Sequence, residues 1–292
     1  MDKFNVLVIS GKGGAGKSMF AASLLTYIKD KAIIGIDSDV DAPDLHVWLG
    51  LDKYEVIKDI KTVRRVNVKK EYADEMPMGV KNCPHKALSF YNGRIIYKDY
   101  LCEGCGLCSI LNPDIFEMRL VRNGEVRRYK SHFTFDVIEG HMLPGLTGSG
   151  KVVEEIFSTT KSFEYEIGIV DGPPGTGCPV NASIRNSNII LFIVEETKSG
   201  IEDFRKTLKV VDHFKKPYGL IVNKHGLNNE IYHKIEVEYG NKLIGYIDYD
   251  ESIIECAVKR IPVYICNKKI IEVALKSAYD YIMEFYNGTN NS

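Results

Sequence analysis

The run Ser10-Gly11-Lys12-Gly13-Gly14-Ala15-Gly16-Lys17-Ser18 constrains this chain more than any other stretch. It stands between an apolar tetrapeptide, Val6-Leu7-Val8-Ile9, and a helical pattern running from Phe20 to Ile28. Strand, glycine loop and helix in that order form the setting of a phosphate-binding loop. Gly11, Gly16, Lys17 and Ser18 satisfy the whole G-x-x-x-x-G-K-[ST] pattern. Glycines let consecutive backbone N–H groups turn inward around an anion, and the helix N-terminus adds its positive end. Gly11, Lys12, Gly13, Gly14, Ala15, Gly16, Lys17 and Ser18 are therefore the expected nucleotide loop. Lys17 is expected at the β- and γ-phosphates, and the Ser18 hydroxyl on Mg²⁺.

Two further apolar runs end in acids. Ala32–Ile36 leads into Asp37-Ser38-Asp39-Val40-Asp41-Ala42-Pro43-Asp44-Leu45, and Glu166–Val170 leads into Asp171-Gly172-Pro173-Pro174-Gly175. Ligands of open α/β sheets sit at the carboxyl ends of strands, which places these aspartates near the phosphates. Asp171, at a strand end, reads as the acid that supports Mg²⁺. Strands at 188–194, 218–223 and 243–247 alternate with helices at 151–157, 200–214, 229–239, 251–259 and 269–285. That alternation predicts an α/β fold: a mostly parallel sheet with helices on both faces.

Composition narrows the partners. A net charge of -1 favours neither nucleic acid nor a membrane surface. The longest apolar run, Ile189–Val194, is too short to span a bilayer. The chain enters a strand almost at once, so no signal peptide and a cytoplasmic location are expected. The polar tail Asn287–Ser292 is expected to fray, and its Asn287-Gly288-Thr289 sequon reads as chance.

Residues 60–115 break the α/β rhythm. Tyr91-Asn92-Gly93-Arg94 reads as a hairpin, and Asn123-Gly124 as a second one. Four of the seven cysteines fall here: Cys83, Cys102, Cys105 and Cys108. A two-cluster ferredoxin uses C-x₂-C-x₂-C-x₃-C-P twice, the fourth cysteine of each run ligating the other cluster. Laid on this chain, that rule assigns Cys102, Cys105, Cys108 and Cys83 to one cluster. The other would need Ala73, Met76, Gly79 and Asn112, none of which is cysteine. Pro84 and Pro113 both stand where the pattern asks for proline. The expectation is an inserted α+β, bacterial-ferredoxin-like domain at 60–115 that holds one [4Fe–4S] cluster, within an ATPase domain at 1–59 and 116–292. A Cys₄ zinc site is the competing reading, although zinc sites usually separate their cysteine pairs. Cys178 reads as structural or redox-sensing, Cys256 and Cys266 as buried apolar thiols, and His85 as a solvated loop residue.

Gly11 to Ser18, with its extra Lys12, resembles the deviant Walker A motif of the MinD/Mrp/nitrogenase-iron-protein class of P-loop ATPases. Asp37-Ser38-Asp39 is similar to the switch I of that class, and Asp171-Gly172-Pro173-Pro174-Gly175 to its switch II. The resemblance implies an ATP-dependent homodimer in which Lys12 reaches the partner's nucleotide and stabilises transition-state charge. It further implies that Asp39 orients the attacking water, that Asp171 supports Mg²⁺ through water, and that Asn223 contacts the adenine. The chain also resembles MinD-superfamily ATPases with an inserted ferredoxin domain, although the usual members keep both cluster motifs. The implied function is an ATPase whose nucleotide state gates electron transfer or partner binding at the iron–sulfur module, with a redox or Fe–S protein as partner. The alternative is an Fe–S carrier of the Mrp type, whose C-terminal Cys-x-x-Cys the pair Cys256 and Cys266 does not match. A membrane-positioning role like that of MinD would need a basic amphipathic helix at 269–285.

Overall fold

The computed structural model describes residues 3–290. Its elements begin with β1 (Phe4–Ile9), α1 (Lys17–Tyr27), β2 (Ile33–Asp37), α2 (Leu45–Trp48) and β3 (Glu55–Ile60). Next come β4 (Val63–Val68), α3 (Met78–Lys81), β5 (Leu88–Tyr91), β6 (Arg94–Tyr97), α4 (Leu107–Leu111) and β7 (Phe116–Val121). They are followed by β8 (Gly124–Lys130), β9 (Asp136–Met142), α5 (Ser149–Thr160), β10 (Ile167–Asp171), α6 (Cys178–Arg185) and β11 (Ile189–Glu195). The chain continues through α7 (Lys198–His213), β12 (Tyr218–His225), α8 (Asn229–Tyr239), β13 (Leu243–Asp248), α9 (Ser252–Lys259), α10 (Val263–Cys266) and α11 (Lys268–Asn290). Helix α11 therefore takes in most of the tail expected to fray; residues 291 and 292 lie outside the described residues.

Two compact units share the chain. The first takes the chain up to Lys58, Val126–His141 and everything from Ser149 onward. Its sheet runs β13-β12-β11-β1-β10-β2-β9-β8-β3, and the pairings from β13 through β9 are parallel. Every residue of β1, β10 and β11 is buried, as expected of parallel strands covered on both faces. Val6 and Val8 join a core with Phe20, Leu24 and Leu25 of α1 and Ile271, Leu275 and Ile282 of α11. Leu7 and Ile9 are equally buried but point to the opposite face, because side chains alternate along a strand. There Phe192 of β11 meets Phe204 of α7 edge to face at 4.9 Å. The mostly parallel α/β architecture expected from the sequence is present.

The second unit spans Asp59–Glu125 with Met142–Gly148. Its order is β-α-β-β-α-β, from β4 to β7. Strand β4 pairs antiparallel with β7, and β5 with β6. The β5–β6 turn carries Asn92 at φ 49° and Gly93 at φ 75°, the double left-handed step of a tight hairpin. This unit runs past residue 115, because Phe116–Val121 completes the ladder with Val63–Val68. A small core of Val66, Val80, Leu88, Ile95 and Phe116 closes it.

The hairpin expected at Asn123-Gly124 does not form: β7 and β8 belong to different sheets. The fully buried Asn123 side chain instead accepts from the Thr62 backbone N–H and donates to the Thr147 carbonyl, tying three segments of the second unit together. Asn-Gly is favoured in hairpin turns, but here buried hydrogen bonds decide its use. Cys256 and Cys266 are also reassigned: they form a disulfide across ten positions rather than two free apolar thiols.

Candidate functional site

The phosphate-type loop leaves β1 and enters α1 through Gly16, which sits at φ 96° and supplies no side-chain cap to the helix. The first N–H groups of α1 thus remain available to an anion. A Cβ on Gly16 would meet Nδ2 of Asn223 at 2.4 Å, so only glycine fits. Asn223, at the end of β12, donates from that Nδ2 to the Ala15 carbonyl at 2.8 Å. Its Oδ1 accepts from the Lys224 backbone at 2.9 Å. The side chain expected at the adenine is thus buried beneath the loop and braces it.

Lys17 is buried, and its Nζ lies 3.6 Å from Asp39 Oδ2. Burial alone would lower the pKa of this ammonium. Asp171, Asp39, Asp44 and Asp37 around it outweigh burial and hold it above the ordinary lysine value. Burial raises the Asp39 carboxyl, with Lys17 opposing it. Asp37 faces Asp171 across the β2–β10 register and is fully buried. Its carboxylate accepts from the backbone N–H groups of Asp39, Asp44 and Leu45, each at 3.0 Å. Asp37 therefore staples both ends of the 38–45 loop, the segment that carries Asp39. Burial and then the neighbouring Asp171 and Glu139 charges still push its pKa well up.

Asp171 shows the strongest sign of an ion site. It is fully buried, and neither carboxylate oxygen has a hydrogen-bond partner of good geometry among the described residues. Burial, against the pull of Lys17, raises its pKa to about 7. Carboxylate oxygens of Asp37, Asp44 and Asp171 lie within 4.8 Å of one another. Hard oxygen donors beside the Ser18 hydroxyl suit Mg²⁺, which takes few protein ligands and keeps several waters. The residues present fit that ion.

Lys12 does not project freely. Its Nζ lies 2.6 Å from Glu195 Oε2, with Ser199 Oγ at 3.3 Å and Thr197 Oγ1 at 3.4 Å. Glu195 also pairs with Lys224. Asp44 lies with the other aspartates, as expected from the sequence, whereas Glu195 and Glu139 are charged neighbours that no motif marked. The available signal for Glu195 was an acid ending the apolar run of β11.

In the second unit, Cys83, Cys102, Cys105 and Cys108 line one cavity together with Val66, Pro84, Leu88 and Met118. The cavity volume open to the centre of a water-sized sphere is about 20 Å³. Cys102 is buried, Cys83 and Cys108 are half-buried, and Cys105 is exposed; none is in a disulfide. Among the described residues no three of these sulfurs come within 4.8 Å of one another. A tetrahedral zinc with 2.3 Å bonds would need sulfurs about 3.8 Å apart.

The four positions without cysteine are arranged differently. Gly79 is the second residue of α3, as Cys108 is of α4. The Gly79 N–H donates to Asn112 Oδ1 at 2.7 Å. A Cβ on Gly79 would meet the Cys108 Cα at 2.9 Å and the Phe116 ring at 2.9 Å. Two of the positions that the ferredoxin pattern would give to cysteine are thus bonded to each other and packed shut. Cys178 opens α6, exposed, with Gly150 against it. No helix among the described residues is long and apolar enough to cross a membrane.

A family model described as the CobQ/CobB/MinD/ParA nucleotide binding domain matches residues 6–263. The uncharacterized protein MJ0578 of Methanocaldococcus jannaschii is 30% identical over 285 residues, 96% of each chain. From the same organism, the uncharacterized ATP-binding protein MJ0685 is 22% identical over 272 residues, 89% of this chain and 90% of its own. Among solved structures, the septum site-determining protein MinD of Pyrococcus horikoshii, complexed with Mg-ADP, superposes with a TM-score of 0.59 at 14% identity over 96% of each chain. That likeness is one of fold.

Proposed function

From the premise that this chain belongs to the CobQ/CobB/MinD/ParA nucleotide-binding family, we propose a Mg²⁺-dependent ATPase whose nucleotide state gates an inserted [4Fe–4S] module. The observation that carries the second half is the convergence of Cys83, Cys102, Cys105 and Cys108 on one cavity. The β-α-β-β-α-β order supports a ferredoxin-like module over a zinc clip.

The residues divide the work as follows. Backbone N–H groups from Gly11 to Ser18 and the start of α1 hold the phosphates. Lys17 neutralises the β- and γ-phosphates, and taking up that role means exchanging Asp39 for phosphate oxygen. Asp39, freed from Lys17, accepts a proton from or orients the attacking water. Ser18 and Asp171 would hold Mg²⁺, which supplies charge neutralisation for the leaving phosphate. Lys12, released from Glu195, acts on the nucleotide of a second copy of this chain in an ATP-dependent homodimer. Asn223 keeps the loop in register, and its second amide N–H is the group left for the adenine. The four cysteines would hold the cluster, which supplies one-electron transfer. The module joins the chain at 58/59, after the 37–45 loop, and rejoins it before Asp171, so a switch movement has a covalent route to it. Its partner is a redox or Fe–S protein.

The test is iron and acid-labile sulfide per chain after anaerobic purification, with EPR of the reduced protein and a potential measured with and without ATP. About four irons, a [4Fe–4S] signal and an ATP-dependent potential are expected. A Cys83→Ser variant should lose iron while still binding ATP. One tightly held zinc, or no metal, would overturn the redox half; a potential blind to ATP would overturn the gating.

A further inference from the structure

One buried acid near the nucleotide loop has no place in the motifs. Glu139, on β9, is fully buried. It lies beside Asp37 in the parallel register of β2 and β9, so two buried carboxylates stand on neighbouring strands. Asp37 is compensated by three backbone N–H groups; Glu139 is compensated by side chains. His46 Nδ1 approaches Glu139 Oε2 to 2.6 Å. The approach is off the line of a good hydrogen bond, so it is a close polar contact that fixes where the ring sits against the carboxylate. Arg127 Nη1 lies 3.6 Å from Oε1, and the Tyr129 hydroxyl donates to Oε1 at 3.4 Å. The His46 ring also stacks on Tyr129, at 4.9 Å between centroids.

These partners differ in origin. Tyr129 belongs to β8 of the large sheet, and Arg127 is its neighbour on that strand. His46 comes from α2, the short helix that begins as the 38–45 loop ends. Lifting α2 off the sheet would leave Glu139 buried beside Asp37 without its nearest side-chain partner, which is costly in a low-dielectric interior. The pair therefore favours one position of α2 over all others. Because Asp37 binds both Asp39 N and Leu45 N, the position of α2 and that of Asp39 are joined through one carboxylate.

We propose that His46 and Glu139 form a positioning pair that docks α2 and thereby holds Asp39 in its working place beside Lys17. This rests on the ATPase reading for its kinetic consequence but not for its structural one. Neither side chain belongs to the phosphate loop or to the Asp37, Asp44 and Asp171 group. It sets the equilibrium of a two-state segment on which turnover depends.

The protein supplies its own probe. Its one tryptophan, Trp48, sits on α2 and is half-buried against the core. In the full-length protein, His46→Gln and Glu139→Gln should each raise acrylamide quenching of Trp48 about twofold. Each should lower kcat for ATP about tenfold with KM changed less than twofold. The double variant should be no worse than the worse single one, since both remove the same contact. Wild-type quenching and kcat in His46→Gln would overturn the proposal, as would additive losses in the double variant. A wild-type protein that does not hydrolyse ATP would overturn the ATPase reading instead, while the Trp48 measurement would still decide the docking.

Discussion

Replacing Asp171 by asparagine should stabilise the free protein above neutral pH while abolishing its response to Mg-ATP. Burial raises the Asp171 carboxyl from 3.8 to about 7 in the fold. A shift of that size corresponds to about 4 kcal/mol of penalty on the ionised form. The sign follows from linkage. A carboxyl whose folded pKa is raised costs nothing below its unfolded value, costs progressively more as pH rises towards 7, and costs its full amount above. Asparagine removes the charge but keeps the shape. The attraction of Lys17 is already contained in the value of about 7. A stabilisation of up to about 4 kcal/mol is expected at pH 8, on the order of 10 °C in Tm. The assay is thermal unfolding of both proteins from pH 5 to pH 8. The difference in Tm should grow across that window and be smallest at its acid end, where about 2 kcal/mol of the penalty is already present. Adding Mg-ATP should raise the wild-type Tm and leave the variant where it was, since a ligand stabilises only the state that binds it. A variant that is less stable at pH 8, or a difference independent of pH, would refute the reasoning.

Three further outcomes follow from the geometry. Lys12→Ala should lower ATP turnover about 10³-fold with ATP affinity nearly unchanged, as for a cation supplied in trans; equal turnover would remove Lys12 from the chemistry. Asn112→Ala strands the buried Gly79 N–H and should cost about 1–3 kcal/mol in chemical denaturation without changing iron content. Reduction of the Cys256–Cys266 disulfide, or Cys256→Ser, opens a short loop and should lower stability by about 3 kcal/mol; a Tm insensitive to reductant would show that the bond contributes nothing.

Most of the nucleotide site was legible because its information is local. A glycine loop between strand and helix is a property of consecutive residues, and Gly11 to Ser18 adopt that setting. Spacing singled out Cys83, nineteen positions before Cys102, and the fold places it on the same cavity as the other three cysteines. The Asn92-Gly93 turn was likewise readable, because two left-handed residues in a row leave few choices. Asn123-Gly124 carried the same local signal and became something else. The bonds of Asn123 to Thr62 and Thr147 reach 61 and 24 positions away, and no window of neighbours contains them.

The sequence by itself determined the fold class, the phosphate loop, the acids at the strand ends and the cysteine quartet, because periodicity and spacing are short-range and repeat along the chain. Only the tertiary structure decided which charges meet. Glu195 holds Lys12, Glu139 meets His46, Asn223 lies under Ala15, and Cys256 bonds Cys266. Each is a pairing across elements, selected because a buried charge or polar group must find a partner wherever the packed sheet places one. That requirement is strict in the folded interior and leaves no mark in the order of residues.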